Sequence, residues 1–261
     1  MSTNTVHTSP SLKILRDTGA VFQRELWPVV RDPFSVIFSL LQPLVFLIFF
    51  GPLLSGFSGL SLAESLQWFV PGIIVMSTLF GTAMAGSNLL FELASGSHER
   101  MLVTPVARSA LMVGRALKEM VPLTIQAVVL TLIAAVFGFR PHLPGMFLGL
   151  VLLALFGIGL GALSYALGIA SRKRDWMFWG VQQALLFPLM ILSGMLLPLE
   201  TAPRWMQILS AFNPLTYLVE AERSLFNGSF ADPAVWQGGI AAVILAGLGL
   251  FVGIRMMRKS I

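Results

Sequence analysis

The chain alternates between long apolar runs and short polar stretches. Because a charge costs free energy inside hydrocarbon, the spacing of charges indicates which segments can cross a bilayer. A spanning helix needs about 20 apolar residues. Six charge-free gaps, of 20 to 31 residues, lie between Asp32 and Glu64, Glu64 and Glu92, Glu119 and Arg140, Arg140 and Arg172, Asp175 and Glu200, and Asp232 and Arg255. We predict six transmembrane helices, at about 34–54, 69–92, 118–139, 146–170, 177–197 and 234–255.

A seventh apolar run is too short to cross. Only 15 uncharged residues separate Arg204 from Glu220, and Pro214 interrupts the run directly after Asn213. Proline removes a helical hydrogen bond, so a helix is expected to break there. We predict a re-entrant or interfacial helical hairpin within 200–226, between the fifth and sixth spans and broken at Asn213-Pro214.

Composition agrees with a lipid environment. Hydrophobic residues make up 56% of the 261 residues and charged residues 11%, with a mean hydropathy of +0.83. Soluble domains carry roughly 25% charged residues. The sequence has no cysteine, which excludes disulfides and thiolate metal sites. The net charge of +5 could suggest nucleic acid, but the basic residues are scattered between apolar runs, where they set membrane topology instead.

The basic residues predict the orientation. With six spans and a cytoplasmic amino terminus, 14 of the 17 Lys and Arg residues lie on the cytoplasmic side, and only Arg140, Arg204 and Arg223 lie outside. Positive residues favour cytoplasmic loops. We therefore expect both ends, 1–33 and 256–261, in the cytoplasm.

Two cytoplasmic segments carry more pattern than a simple connection needs. Residues 11–30 place Leu12, Leu15, Phe22, Leu26 and Val30 at roughly helical spacing, which predicts an amphipathic helix. It could lie on the membrane surface, which we favour, or pack on the protein itself. The loop 92–119 is the longest cytoplasmic connection; it could dock a cytoplasmic partner or be an ordinary solvated loop.

Polar and small residues inside the spans offer further candidates. Uncharged polar residues that could line a substrate path are Thr78, Thr82, Asn88, Gln126 and Gln182, although hydrogen bonding between helices is the simpler interpretation. The Gly157/Gly161 and Gly249/Gly253 pairs favour close helix packing within one bundle over a specific dimer seam. No Asp, Glu, Lys or Arg lies at a predicted span centre, which argues against an ion-driven carrier.

The chain lacks the motifs of catalysis. It has no GxxxxGK[ST] phosphate loop and no HExxH, and Ser193-Gly194 has no histidine in a span to activate it. We therefore predict no enzymatic activity and no cofactor bound by this chain. Its energy must come from a partner, or the protein is a passive channel.

Four segments together resemble a known family. They are RDPFSVIFSLLQPLVFLIFFG (31–51), FVPGIIV (69–75), ERMLVTPVARSALMVGRALKE (99–119) and SGMLLPLETAPRWMQILSAFNPLTYLVEAERSLF (193–226). Their order resembles the ABC-2 membrane-subunit family, specifically its daunorubicin-resistance-type multidrug exporters, over about residues 20–255. The last segment is the most specific.

The resemblance implies a fold, partners and site residues. It implies a dimer of six-helix subunits, either identical or sister chains, in a bacterial plasma (inner) membrane. Each subunit would dock on a separate cytoplasmic ABC ATPase, two copies in all, which binds ATP and Mg. The amino-terminal helix would be the interfacial connecting helix. The coupling residues would be Ser97, His98, Glu99, Arg100 and Thr104. The hairpin at 200–226 would cap the outer mouth through Asn213, Pro214 and Glu220.

Several functions remain open at this stage. The leading interpretation is export of a hydrophobic or amphiphilic drug or lipid, which would confer antibiotic resistance in the drug case. A glycan or lipid-linked saccharide exporter is the alternative, followed by a secondary carrier. The secondary carrier is disfavoured by the absence of midplane charge and of an evident half-repeat. An intramembrane enzyme is disfavoured by the missing catalytic groups.

Overall fold

The computed structural model describes residues 10–59, 61–95 and 107–259. Within these ranges the secondary structure consists of nine α-helices and one short 3₁₀ turn, Leu199–Thr201. The helices are α1 (Pro10–Arg31), α2 (Pro33–Ser58), α3 (Leu62–Ala94), α4 (Arg108–Val136), α5 (Leu143–Ala170), α6 (Asp175–Ile191), α7 (Arg204–Ser210), α8 (Pro214–Phe226) and α9 (Pro233–Lys259). The prediction of an all-α membrane protein is confirmed.

Five of the described helices have the length and apolarity to cross a membrane: α2, α3, α4, α5 and α9. The predicted spans 34–54, 69–92, 146–170 and 234–255 each fall inside one of them. The span predicted at 118–139 belongs to a helix that begins ten residues earlier, at Arg108, and ends at Val136.

The fifth predicted span was drawn too long. Its helix, α6, ends at Ile191 after 17 residues, whereas we predicted 197. Pro188 lies in its last turn, and Gly194 just beyond has a φ of +73°, a left-handed conformation that favours glycine. Turn geometry therefore ends the helix although the sequence stays apolar to Leu199.

Helix α5 is the central helix of the bundle, and glycines let its neighbours approach. A Cβ on Gly249 of α9 would overlap the backbone of Gly159, and one on Gly253 would lie 3.1 Å from the carbonyl oxygen of Ala162. A Cβ on Gly157 would lie 3.2 Å from Leu123 of α4. The predicted role of these glycines in packing within one bundle is confirmed.

Helix α1 packs on the bundle along one side, which is one of the two alternatives that its sequence left open; the membrane-surface role stays a prediction. Val21 is buried against Gly114 of α4, where an added Cβ would lie 2.8 Å from that side chain. Leu15, Trp27 and Val30, in contrast, are exposed. The helix therefore packs on the protein along one side and leaves an apolar surface on another.

The chain between α6 and α9 folds into two short helices. Helix α7 ends at Ser210 and α8 begins at Pro214, so the break predicted at Asn213-Pro214 is present. At 13 residues α8 is about 20 Å long, which is short of the roughly 30 Å hydrocarbon core. It packs against α3, α5 and α9.

Candidate functional site

A cluster of buried and half-buried charged side chains lies where α1, α3, α4 and α5 meet. Its centre is Arg115 of α4, of which only 1% is exposed. The Arg115 guanidinium donates a short hydrogen bond to the carboxylate of Glu92 on α3. Its Nη2 also lies 3.4 Å from Oε1 of Glu25 on α1. One cation therefore links three helices through two carboxylates.

The cluster extends toward α5 through the next turn of α4. Lys118 Nζ lies 2.9 Å from Oε1 of Glu119, and the Tyr165 hydroxyl of α5 donates to the same oxygen at 2.6 Å. The Arg115 guanidinium also lies 6.0 Å from the centre of the Tyr165 ring. We call the set Glu25, Glu92, Arg115, Lys118, Glu119 and Tyr165 the α4 cluster.

Two further contacts tie the start of α4 to its neighbours. The Ala107 N–H, at the amino-terminal cap of α4, donates to Oδ2 of Asp17 on α1 at 3.3 Å. Arg108 donates through Nη1 to the carbonyl oxygen of Arg258, 3.1 Å away in the last turn of α9. A cation there also complements the negative end of the helix dipole. In the sequence, residues 96–106 are therefore preceded by Glu92 of the α4 cluster and followed by Ala107 and Arg108.

The predicted coupling residues fall in that segment. Ser97, His98, Glu99, Arg100 and Thr104 lie outside the described residues, so their assignment stays a prediction.

The predicted substrate-path residues do not form one group. Thr78 and Thr82 are buried and donate to carbonyl oxygens of their own helix. Gln126 donates through Nε2 to the Ser39 carbonyl oxygen of α2, at 2.8 Å. Asn88 is exposed, whereas Gln182 is buried and its Oε1 has no hydrogen-bond partner among the described residues. Their role in transport remains a prediction.

A small cavity of about 140 Å³ lies between α2, α3 and α4. Its polar lining is Ser39, Gln42, Ser77 and Gln126, and Phe80 and Met84 contribute apolar surface. Of the five predicted path residues, Gln126 is the one that lines it.

The predicted cap residues form the start of α8 and its link to α6. Asn213 caps α8 by accepting from the Leu215 N–H at 3.0 Å, with Pro214 in the first turn. The Asn213 amide also donates to the Leu189 carbonyl oxygen at 2.7 Å, and Thr216 donates to that of Leu192 at 3.0 Å. The last turn of α6 thus receives side-chain donors that replace its missing helical partners.

One turn later, α8 is fastened to α3. Glu220 is half exposed and pairs with Arg223 Nη1 at 2.7 Å. The other nitrogens of Arg223 donate to the carbonyl oxygens of Trp68 and Gly194, at 3.1 and 2.8 Å. The guanidinium stacks 3.8 Å above the Trp68 ring, in a cation–π contact.

Sequence reasoning missed two groups of buried charges. We used Glu92 and Glu119 only as limits of charge-free gaps and of the loop between them, and the absence of charge at span centres suggested an uncharged interior. The structure buries Arg115, Lys118 and Glu119 in the first half of a helix long enough to span, and Glu222 in α8. The available signal was the spacing of Arg115, Lys118 and Glu119, three and four residues apart, which places them on one face of a helix.

Comparison with known proteins identifies the family. The model of the family described as ABC-2 type transporter matches residues 16–227, which is most of the chain. The chain belongs to the ABC-2 type transporter family. Its similarity to the daunorubicin-resistance branch, expected from the sequence motifs, is confirmed by its relatives.

Three relatives illustrate the range of this similarity. The daunorubicin resistance ABC transporter permease protein DrrB1 of Streptomyces coeruleorubidus is 28% identical, over 83% of this chain and 76% of its own length. A protein of Cyanophora paradoxa named as the transport permease ycf38 is 32% identical, over 81% of this chain and 77% of its own. DrrC of Mycobacterium tuberculosis, named for doxorubicin resistance, is 24% identical, over 84% of this chain and 82% of its own length.

Proposed function

We propose that this chain is the membrane permease subunit of an ATP-driven exporter that moves a hydrophobic or amphiphilic drug or lipid. In this proposal a separate cytoplasmic ATPase binds ATP and Mg, docks at residues 96–106 and drives the cycle. The observation that carries the proposal is the α4 cluster, which joins three elements next to that segment in a chain of the ABC-2 family.

The cluster gives a physical route for coupling. Glu92 lies near the end of α3 and Arg115 two turns into α4, so a force on 96–106 reaches both helices. Arg115 passes the displacement to α1 through Glu25, and Glu119 passes it to α5 through Tyr165. Removing one partner of a buried ion pair costs about 3–5 kcal/mol, so the elements move together.

The topology completes the proposal. Helix α6, with 17 residues, lies at the lower limit of about 17–25 for a span, which makes six with the five longer helices. Both ends then lie in the cytoplasm of a bacterium, α1 lies along the inner membrane surface, and α7 and α8 form a re-entrant cap at the outer face. The bonds of Asn213, Thr216 and Arg223 hold this cap closed.

The substrate path needs more than one subunit. The cavity of about 140 Å³ is smaller than the roughly 300–1,000 Å³ of drug-sized pockets. Helix α2, beside this cavity, exposes Ile37, Phe38, Leu41 and Val45. A second permease, identical or a sister chain, would enlarge this cavity into a path lined partly by Gln126. The names of two relatives mention resistance to daunorubicin and to doxorubicin, which favours a drug over a glycan.

The test is to co-express the tagged chain with the genes that flank its own and to measure ATP hydrolysis in lipid nanodiscs. Glu25→Gln removes one arm of the cluster while Arg115 keeps Glu92. We expect the ATPase to co-purify, with stimulation by drug or lipid reduced at least severalfold. Asp175→Asn, an exposed acid at the start of α6, is the matched control and should leave stimulation unchanged.

One other result would contradict the exporter assignment, and a second would contradict only the role of the α4 cluster in coupling. If no ATPase co-purifies and charge reversal at both Glu99 and Arg100 leaves transport intact, the chain is a carrier or a channel. If the ATPase binds but Glu25→Gln and Asp175→Asn behave alike, the exporter assignment stands and the cluster has no part in coupling.

A further inference from the structure

The contact between α5 and α8 holds a charge-bearing group with no partner. Glu222 is fully buried, and neither carboxylate oxygen has a hydrogen-bond partner within the described residues. The side chain lies directly against Gly149, where an added Cβ would overlap Oε2. One turn away, a Cβ on Gly145 would overlap the Leu225 carbonyl oxygen. We call Gly145, Gly149, Glu222 and Leu225 the α5–α8 seam.

No opposite charge on the packed helices compensates Glu222. Helix α5 has no charged residue from 143 to 170, α3 has none from 65 to 91, and α9 has none from 233 to 254. At the ends of these helices that lie beside α8, the titratable groups are Glu64, Arg140, His142 and Asp232. Helix α8 itself carries Tyr217, which donates to the Ala211 carbonyl oxygen, together with Glu220 and Arg223. Most of these are engaged elsewhere: Arg223 binds Glu220, Asp232 accepts from Ser224, and Glu64 bonds Ser61.

His142 is the remaining group that could interact. Its Nδ1 accepts from the Gly145 N–H at 3.3 Å, which requires that nitrogen to be unprotonated. It lies seven residues from Gly149 in sequence, about two helical turns. It therefore has its own role, the cap of α5, and does not neutralise Glu222.

An isolated carboxylate is strongly disfavoured in such a place, so the group takes up a proton instead. Burial accordingly raises the pKa of Glu222 to about 8, from an ordinary value of 4.5. Both carboxylate oxygens are closed off from solvent, and Oε2 packs directly on Gly149. The packed seam therefore requires the neutral acid.

We infer that Glu222 is a proton-binding site that locks α8 onto α5: the seam closes when Glu222 is protonated and opens when it ionises. In an open seam, water solvates the carboxylate and restores its ordinary acidity. Opening thus releases one proton and closing takes one up. This inference concerns α8 alone and does not depend on an ATPase or a substrate, so its failure leaves the proposed function intact.

The direction of the pH effect follows from this exchange. Between the ordinary carboxyl pKa of 4.5 and the raised value of about 8, the closed seam holds more protons than the open one. Rising pH therefore favours opening, by up to about tenfold in the open-to-closed ratio per pH unit, and the effect levels off above both values.

The first experiment detects the proton directly. Infrared spectra of the full chain in nanodiscs at pH 6 should show the carbonyl stretch of a buried protonated carboxylic acid that Glu222→Gln removes. The band should fade toward pH 9. If the spectra with and without Glu222→Gln superimpose in this region at pH 6, the inference is wrong. This measurement needs no substitution other than Glu222→Gln.

The second experiment measures opening. Because the chain has no cysteine, Leu225→Cys places a single thiol in the buried seam. Its modification rate is measured from pH 5 to 8 with Glu222 and with Glu222→Gln, and the ratio of the two rates cancels the pH dependence of thiol chemistry. We expect this ratio to rise by up to about tenfold per pH unit. A ratio independent of pH would show that Glu222 is only a packing residue.

Discussion

The bundle buries charge in two regions, and the two differ in how the charge is compensated. In the α4 cluster, Arg115 faces two carboxylates and Glu119 faces both Lys118 and Tyr165. In the α5–α8 seam, Glu222 faces glycine and apolar side chains. A compensated charge can remain buried through a cycle and act as a rigid link. An uncompensated carboxylate must be protonated or move out to water, so it suits a contact that opens.

The two regions also lie at opposite ends of α3. Glu92 belongs to the α4 cluster, whereas Trp68 receives the side chain of Arg223, next to Glu222. These positions are 24 residues apart, or about 36 Å along a helix. The compensated cluster therefore lies at one end of the bundle and the uncompensated carboxylate lies near the other, which is the arrangement that the proposed exporter would need.

The largest effect is expected from a substitution that breaks the ion pairs of the α4 cluster. Arg115→Met keeps the apolar volume but leaves Glu25 and Glu92 without their cation. We expect the free energy of unfolding to fall by about 3–5 kcal/mol, measured by SDS titration in mixed micelles. Lys173→Met, at an exposed site between α5 and α6, is the control and should change stability by less than about 0.5 kcal/mol. Equal effects of the two would mean that the cluster contributes nothing.

A second change tests how tight the uncompensated region is. Gly149→Ala inserts a methyl group where Oε2 of Glu222 lies, so we expect a loss of about 1–3 kcal/mol in the same titration. Gly247→Ala in α9 is the control, because no atom lies within 4 Å of its added Cβ. It should be neutral or slightly stabilising, as Ala is the better helix former. A neutral Gly149→Ala would contradict close packing at the seam.

The third substitution should stabilise the protein, whereas Arg115→Met should destabilise it. Glu222→Leu removes a charge that has no partner, so it should stabilise the protein by about 1–3 kcal/mol at pH 8. At pH 5 Glu222 is already protonated in the folded chain, because burial raises its pKa to about 8, and the gain should be smaller. The measurement is the same titration at both pH values. A gain that does not change with pH would point to packing alone.

The smallest effect concerns neutral polar groups at the cap. Asn213→Ala removes the cap of α8 and the bond to Leu189, and should cost about 1–2 kcal/mol. Thr216→Val removes one bond, to Leu192, and should cost about 0.5–1.5 kcal/mol. Thr201→Val is the control for both, because that hydroxyl is exposed and donates within its own turn, to the Pro198 carbonyl oxygen. If Asn213→Ala matches this control, the contact between α6 and α8 does not fasten the cap.

Much of the architecture could be predicted from the sequence. Charge spacing located α2, α3, α5 and α9, because lipid penalises charge wherever it faces the bilayer. The Asn213-Pro214 pair located the helix break, because proline acts locally. The end of α6 could not be found this way: its apolar residues continue beyond Ile191, and the turn at Gly194 depends on backbone geometry.

For the buried charges, too, one part was determined by the sequence and another by the tertiary structure. The sequence by itself determined that this chain is a multi-helix membrane protein of its family, since hydropathy, motif order and the Asn-Pro break depend on local residues. Only the tertiary structure decided that Arg115 has two carboxylate partners and that Glu222 has none among the residues that the structure describes. Those partners come from helices distant in sequence, and the pairing of a buried charge depends on which groups the packed helices bring within a few ångströms of it.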